Sequence, residues 1–234
     1  MILPKLKVFG ESAVLLQWPQ RIDPAINQEI YTLKAQLLNE KIEGIDFVLP
    51  AYNSITIGFD PFLLEFGFLK DTLVRLLHTQ KKEGLEIQVR TLKIPVCYDP
   101  EFALDYKSLE RALNLDWDKI IELHVSTSYR VYMLGFLPGF AYMGKLHKLL
   151  QCVRKGEPRK SVEPGSVGIA GLQTGIYPSK APGGWQIIGR TPLDVLSPRE
   201  EDPFLFHQGN QVEFYPIDVE TYYKLKEKTE IDGQ

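Results

Sequence analysis

Of the 18 glycines in this 234-residue chain, 11 fall between Gly135 and Gly189, interleaved with apolar runs only a few residues long, such as "SVGIAG", "GIYP" and "WQIIG". Helix is a poor solution for such a stretch. Each interior glycine costs about 1 kcal/mol relative to alanine, and the apolar runs are too short to carry a 3.6-residue stripe. Short strands divided by glycine and proline turns remain, which is how a β-barrel or sandwich looks in sequence. The second part of the chain is therefore expected to be mostly β.

The first part has a different texture. Leu6 to Trp18 carry strand-like apolar content. Asp23 and Pro24 then supply an N-cap and a proline at the first helical position, and Ile26, Ile30, Leu33 and Leu37 follow at helical spacing. In "IDFVLPAYNSITIGF", Asn53-Ser54 separates two β-rich runs and Ile55, Ile57 and Phe59 alternate, which predicts a hairpin. Asp60-Pro61 is expected to open a second helix by the same device, with Phe66, Leu69, Leu73 and Leu76 as its stripe. Leu85, Ile87 and Val89 alternate, and the pattern resumes out of phase at Leu92, Ile94 and Val96, so the strand bulges or crosses between domains near Arg90. The expected architecture is α+β. A small α/β domain over residues 1–90, in β-α-β-β-α-β order with both helices on one sheet face, precedes a mostly β domain over 91–234. The latter begins with two short helices, roughly Ser108 to Leu113 and Trp117 to Val125, the second capped by Asp116.

Composition narrows the function classes. With 44% hydrophobic and 24% charged residues and a net charge of −3, the chain has the balance of a globular protein and no electrostatic bias toward nucleic acid or a membrane surface. Cys97 and Cys152 lack C-x-x-C spacing, and His78, His147 and His207 have no i, i+4 partner, so no metal site is expected. "MILPKLKVFGESAVLLQW" has no apolar run behind a basic segment, and the expected location is cytoplasmic.

The candidate chemistry lies in two segments. "GFAYMGKL" comes within one residue of a phosphate-binding loop, but Leu146 stands where a magnesium-binding hydroxyl is needed, and no helix signal follows. The wider "GFLPGFAYMGKL" reads instead as a turn that leaves the strand "RVYML" and presents Phe136, Phe140 and Tyr142 on backbone freed by Gly135 and Gly139. Packing over a barrel mouth and contact with a ligand are both open for these aromatics. In "RKGEPRKSVEPGSVGIAGLQTGIYPSKAPGGWQIIGRTP", Arg159 is placed to bind a carboxylate or phosphate, while Arg154 and Lys155 read as a solvated basic loop. Gln173, Thr174 and Tyr177 surround Gly175 and offer hydrogen bonds to an amide, and Gly183-Gly184 permits close backbone approach. His124 ends a helix as "IIELH" and is either a C-terminal cap or a general acid or base. No G-x-S-x-G elbow is present and neither cysteine adjoins a histidine, so the chain lacks the pattern of an autonomous nucleophilic hydrolase.

"LGFLPGFAYMGKL" and "PRKSVEPGSVGIAGLQTGIYPSKAPGGWQIIGRTP" resemble the allophanate hydrolase subunit 1 family, over about Ile94 to Ile217. That family includes the B subunit of bacterial 5-oxoprolinase and the sporulation kinase A inhibitor. The resemblance implies a cyclophilin-like β-barrel behind a small α/β domain. It also implies partnership with the 5-oxoprolinase C subunit, and with an A subunit of the LamB/YcsF type, in an ATP-dependent opening of 5-oxoproline to glutamate, with ATP required by the complex and not necessarily bound by this chain. Its second implied role is binding and inhibition of a sensor histidine kinase. Carried onto this chain, it supports Arg159, His124, Gln173 and Tyr177 as catalytic candidates. Phe136, Gly139, Phe140, Tyr142, Thr174, Gly175, Gly183, Gly184, Trp185 and Arg190 are its ligand-facing candidates. One departure is "SVEPGSVG", where family members commonly read V-P-A-G-S-V, so that Glu163 adds a negative charge near the expected anion site.

Overall fold

The computed structural model describes residues 3–79, 90–197 and 202–232. The chain divides into two compact units, Met1–Gln88 and Val89–Gln234.

The first unit runs β1 (Lys5–Val8), β2 (Ala13–Gln17), α1 (Pro24–Glu40), β3 (Ile45–Pro50), β4 (Ser54–Phe59) and α2 (Phe66–Thr79). Its sheet has the order β1-β2-β4-β3, antiparallel throughout. Leu6 to Trp18 thus form a hairpin rather than the single strand expected: Gly10 adopts φ +72° and Phe9 N–H donates to Ala13 O at 2.8 Å, which turns the chain back on itself. The Asp23 cap forms as expected, its carboxylate accepting from Ala25 N–H at 2.9 Å. Asp60 also accepts from a backbone N–H, that of Phe62 at 2.8 Å, but Leu63 and Leu64 N–H then close onto Asp60 O, so this device builds a turn and the helix starts later, at Phe66. Val14 and Leu16 of β2 and Ile55, Ile57 and Phe59 of β4 point one way and bury against Ile30 and Leu33 of α1 and Leu69 and Leu73 of α2. The strand expected at Leu85 to Val89 lies outside the described residues.

The second unit contains β5 (Thr91–Cys97), α3 (Tyr106–Leu113), α4 (Trp117–Val125), β6 (Ser128–Leu134), β7 (Ala141–Gly144), β8 (Arg159–Val162), β9 (Ser166–Ala170), β10 (Gln173–Ile176), β11 (Ala181–Gly183), β12 (Gln186–Arg190), β13 (Gln211–Ile217) and α5 (Val219–Asp232). Seven of these strands close a barrel in the order β10-β7-β6-β13-β5-β12-β9, and β8 and β11 form a separate two-stranded ribbon. Within the barrel, β5 and β13 pair in parallel and the other neighbours are antiparallel. Alternate residues fill the interior: Leu92, Ile94 and Val96, Tyr129 and Val131, Val167 and Ile169, Val212 and Phe214. Each such side chain contributes about 1.5–3 kcal/mol on burial, which lets a strand set rich in glycine hold together. Asp116 occupies the N-cap position of α4 without a side-chain cap bond, because Glu110 of α3 supplies the carboxylate, accepting from Trp117 N–H at 2.9 Å. The fold is mixed α+β, with a closed seven-stranded barrel and five helices among the described residues. No helix among them is long and apolar enough to cross a membrane.

Candidate functional site

The β6–β7 connection and the β8–β11 ribbon meet on an aromatic pocket of about 220 Å³. The connection folds tightly: Phe140 N–H donates to Leu137 O and Gly135 N–H to Phe140 O, and Gly139 takes φ +82°. Phe136 sits in the same left-handed region at φ +74° and is 60% exposed. A large non-glycine residue held there stores strain, of the order of 1–3 kcal/mol, in a conformation that presents its ring at the pocket rim. Phe140 forms the floor, edge-on to Tyr142 at 4.9 Å, Tyr177 at 5.3 Å, Trp185 at 5.4 Å and Phe136 at 5.6 Å between ring centroids.

Two glycines make this packing possible. A Cβ on Gly183 would overlap the Tyr177 hydroxyl, and one on Gly175 would lie 2.8 Å from Ala141 O and 3.0 Å from Phe140 Cζ. Gly183 lines the pocket, whereas Gly175 stands behind Phe140 and serves packing. Gly184 lines the pocket beside Pro158, where a Cβ would make only ordinary contact at 3.6 Å.

The charged group in the lining is Arg154, whose guanidinium carbon lies 5.9 Å from the centre of the Trp185 ring. Burial pushes the hydroxyl pKa of both Tyr142 and Tyr177 up, partly offset by Arg154 and, for Tyr177, chiefly by a hydrogen bond with Trp185 backbone. Both therefore stay protonated donors. The arrangement suits a small flat ring with a carboxylate: aromatic walls for the ring, a cation for the acid and phenol donors for an amide oxygen. A larger open depression of about 540 Å³ near the C-terminus of α4 is lined by Lys93 and Glu213 and contains none of the motif residues.

The structure thus gathers Phe136, Phe140, Tyr142, Tyr177, Gly183, Gly184 and Trp185 around one cavity. The other candidates lie elsewhere. Arg159, expected as the anion anchor, is turned onto Asp105, with Nη2 2.7 Å from Oδ1. Gln173 lines a neighbouring depression that shares Arg154 with the pocket. His124 is fully buried in the barrel unit, stacked on Phe214 at 4.7 Å. Thr174 hydroxyl donates to Gly168 O at 3.1 Å, so it accepts from His124 Nε2–H at 3.0 Å, and Nδ1 accepts from Tyr98 hydroxyl at 2.8 Å. Burial pushes the imidazole down to about 3, and it stays neutral. This arrangement makes His124 and Thr174 a core network rather than solvent-facing groups. Arg190 donates from Nε to Pro164 O at 2.8 Å, and Gly139 packs against Phe204, Leu196 and Pro178. Glu163 pairs with Lys180 at 2.9 Å. Arg154 is exposed, as its sequence context suggests, and it also lines the pocket. Asp105 carries no sequence signal, because its partners are 50 and 54 residues away.

The pocket does not fit ATP. It offers one guanidinium and no lysine or Ser/Thr hydroxyl for a phosphate–magnesium group, and its volume falls below the roughly 300–1,000 Å³ usual for larger ligands. The Ala141–Gly144 portion of "GFAYMGKL" is a barrel strand, β7.

Residues 4–206 match the family model described as carboxyltransferase domain, subdomain C and D. The 5-oxoprolinase B subunit of Bacillus subtilis (strain 168) is 34% identical over 235 residues, covering 96% of this chain and 98% of that protein. The 5-oxoprolinase B subunit of Escherichia coli O157:H7 is 36% identical over 211 residues, covering 89% and 94%. Among solved structures, TTHA0988 superposes with a TM-score of 0.77 at 32% identity over 88% of this chain, which spans 40% of that longer one. The barrel motifs that resemble the allophanate hydrolase subunit 1 family lie within the matched span, and the chain belongs to the carboxyltransferase subdomain C and D family, together with the 5-oxoprolinase B subunits.

Proposed function

We propose that this chain is the B subunit of an ATP-dependent 5-oxoprolinase, which opens 5-oxo-L-proline to L-glutamate together with a C subunit, and with an A subunit of the LamB/YcsF type. The names of full-length relatives support this reading. The observation that carries it is the pocket: aromatic edges around a small cavity with one guanidinium at its rim suit a five-membered lactam with a carboxylate. Arg154 takes the anchoring role, worth about 1.5–3 kcal/mol for a charged hydrogen bond. Tyr142 and Tyr177 orient the lactam oxygen, and the rings exclude water. ATP is handled by another protein of the complex. With neither nucleophile nor phosphate cradle at this pocket, the chain is a non-autonomous part of the hydrolase. The cyclophilin-like character of the barrel and a domain boundary near Arg90 belong to the same reading.

The test combines the chain with the A and C subunits and follows glutamate released from 5-oxoproline in the presence of ATP. Release that needs all three proteins supports the proposal. Release by this chain alone, or undiminished release without it, refutes it.

A further inference from the structure

We propose that Asp105 is a positioning residue of this pocket: its buried carboxylate latches the segment from Cys152 to Arg159 onto the barrel unit and so holds Arg154 and Pro158 in the pocket wall. The inference rests on that pocket being the substrate site.

Asp105 lies just before α3, far in sequence from the site, with its side chain 2% exposed. Oδ1 accepts from Lys155 Nζ at 2.8 Å and Arg159 Nη2 at 2.7 Å, while Oδ2 accepts from Ile187 N–H at 2.7 Å. Asp105 N–H in turn donates to Ile187 O at 3.1 Å, so the carboxylate is fixed to β12 by both its backbone and its side chain. Two cations from one short segment therefore converge on a single, firmly held oxygen. Burial pushes this carboxyl up, and the bonds from Arg159, Lys155 and Ile187 together outweigh it and hold it below the usual carboxylate range.

The segment is anchored at its two ends, where Cys152 packs against the barrel core and Arg159 enters β8 opposite Gly183, and its middle has little apolar support. Val153 is 83% exposed, Gly156 has open space around it, and no buried apolar side chain occurs between Leu150 and Val162. Its other ties are polar: Gly171 N–H to Cys152 O at 2.6 Å, Gln186 Nε2 to Val153 O at 3.1 Å and Lys155 N–H to Gly184 O at 2.7 Å. Arg154 and Pro158 sit inside the span bounded by these ties, and both line the pocket. Between those ends no side chain holds the segment by apolar burial, and one carboxylate with its two cations adds the charged hold. Loss of the carboxylate leaves two part-buried cations without their partner, so it should loosen the middle of the segment while the backbone ties at its ends persist.

Asp105→Asn retains the shape and removes the charge. Two readouts are made, Arg154 Nε–H by NMR and steady-state kinetics of the three-protein complex. In the wild-type chain the Trp185 ring current should displace the Arg154 resonance, and in Asp105→Asn it should return toward that of a solvated arginine. The KM for 5-oxoproline should rise by roughly tenfold with kcat within about twofold, the pattern for lost substrate placement. If Asp105→Asn fails to fold, Lys155→Met, which leaves Arg159 on the carboxylate, should show the same two changes in smaller degree. An Arg154 resonance unmoved in the folded variant, or a moved resonance with unchanged KM, overturns the inference. A wild-type complex without 5-oxoprolinase activity would instead refute the functional reading, and the NMR comparison alone would then decide the latch.

Discussion

Gly183→Ala adds a single methyl group to the wall of the pocket, and the structure fixes where that methyl would go. It would overlap the Tyr177 hydroxyl and stand 2.7 Å from Cζ and 2.8 Å from Cε1 of the same ring, closer than real Cβ contacts come. Tyr177 can give way only by moving into the pocket or against Phe140. It is 1% exposed and packed edge-on against Phe140 at 5.3 Å. Forcing an extra carbon into such packing costs about 1–3 kcal/mol. For a unit spanning Val89–Gln234, about 2 kcal/mol corresponds to a fall in Tm of roughly 4–8 °C. Urea denaturation of wild type, Gly183→Ala, Tyr177→Phe and the double variant completes a thermodynamic cycle. Because the hydroxyl is the nearest obstacle, the alanine should cost less in the Tyr177→Phe background than beside the native tyrosine, with a coupling of about 0.5–3 kcal/mol. A cost below about 0.5 kcal/mol, with no coupling, would show that the Gly183–Tyr177 contact does not shape this wall.

Phe136→Gly should raise or preserve Tm, since glycine accepts φ +74° without strain, while weakening turnover of 5-oxoproline by the three-protein complex; a fall in both would mean the ring serves only packing. Gly139→Val places a β-branched residue at φ +82° against Pro178, Leu196 and Phe204, and should destabilise the barrel unit by about 2 kcal/mol or more in urea titration while sparing the first unit. His124 has a folded pKa of about 3 against 6.5 for the free group, so the unfolded chain binds the proton first. Its contribution is complete above about pH 6.5 and is lost as pH falls toward 3, by up to about 1.4 kcal/mol per pH unit; His124→Gln should flatten that limb of a stability–pH curve, and an unchanged slope would refute this.

The pocket is legible in sequence where its residues come from two dense segments: Phe136, Phe140 and Tyr142 from one, Tyr177, Gly183, Gly184 and Trp185 from the other. Glycine density announces the barrel for the same reason, because it limits backbone choices locally. What local pattern does not reveal is pairing across the fold. Arg154 and Arg159 lie in the same basic stretch, and Asp105, brought in from before α3, pairs with Arg159 while Arg154 reaches the Trp185 ring. The β1–β2 hairpin is hidden because its turn, Gly10-Glu11-Ser12, interrupts a run that otherwise reads as one strand. Asp60-Pro61 and Asp23-Pro24 look alike in sequence, yet one closes a turn and the other starts a helix. His124 looks like a helix cap because its neighbours Tyr98, Thr174 and Phe214 are distant in the chain.

The central claim is that Arg154 and the aromatic pocket receive the 5-oxoproline carboxylate. Its most direct measurement is glutamate release by the three-protein complex carrying Arg154→Ala, at 5-oxoproline concentrations well below KM and with assembly checked by size-exclusion chromatography. Loss of one charged hydrogen bond worth about 1.5–3 kcal/mol should lower kcat/KM by roughly 10- to 150-fold, with partial recovery in Arg154→Lys. An assembled Arg154→Ala complex with wild-type kcat/KM would contradict the account.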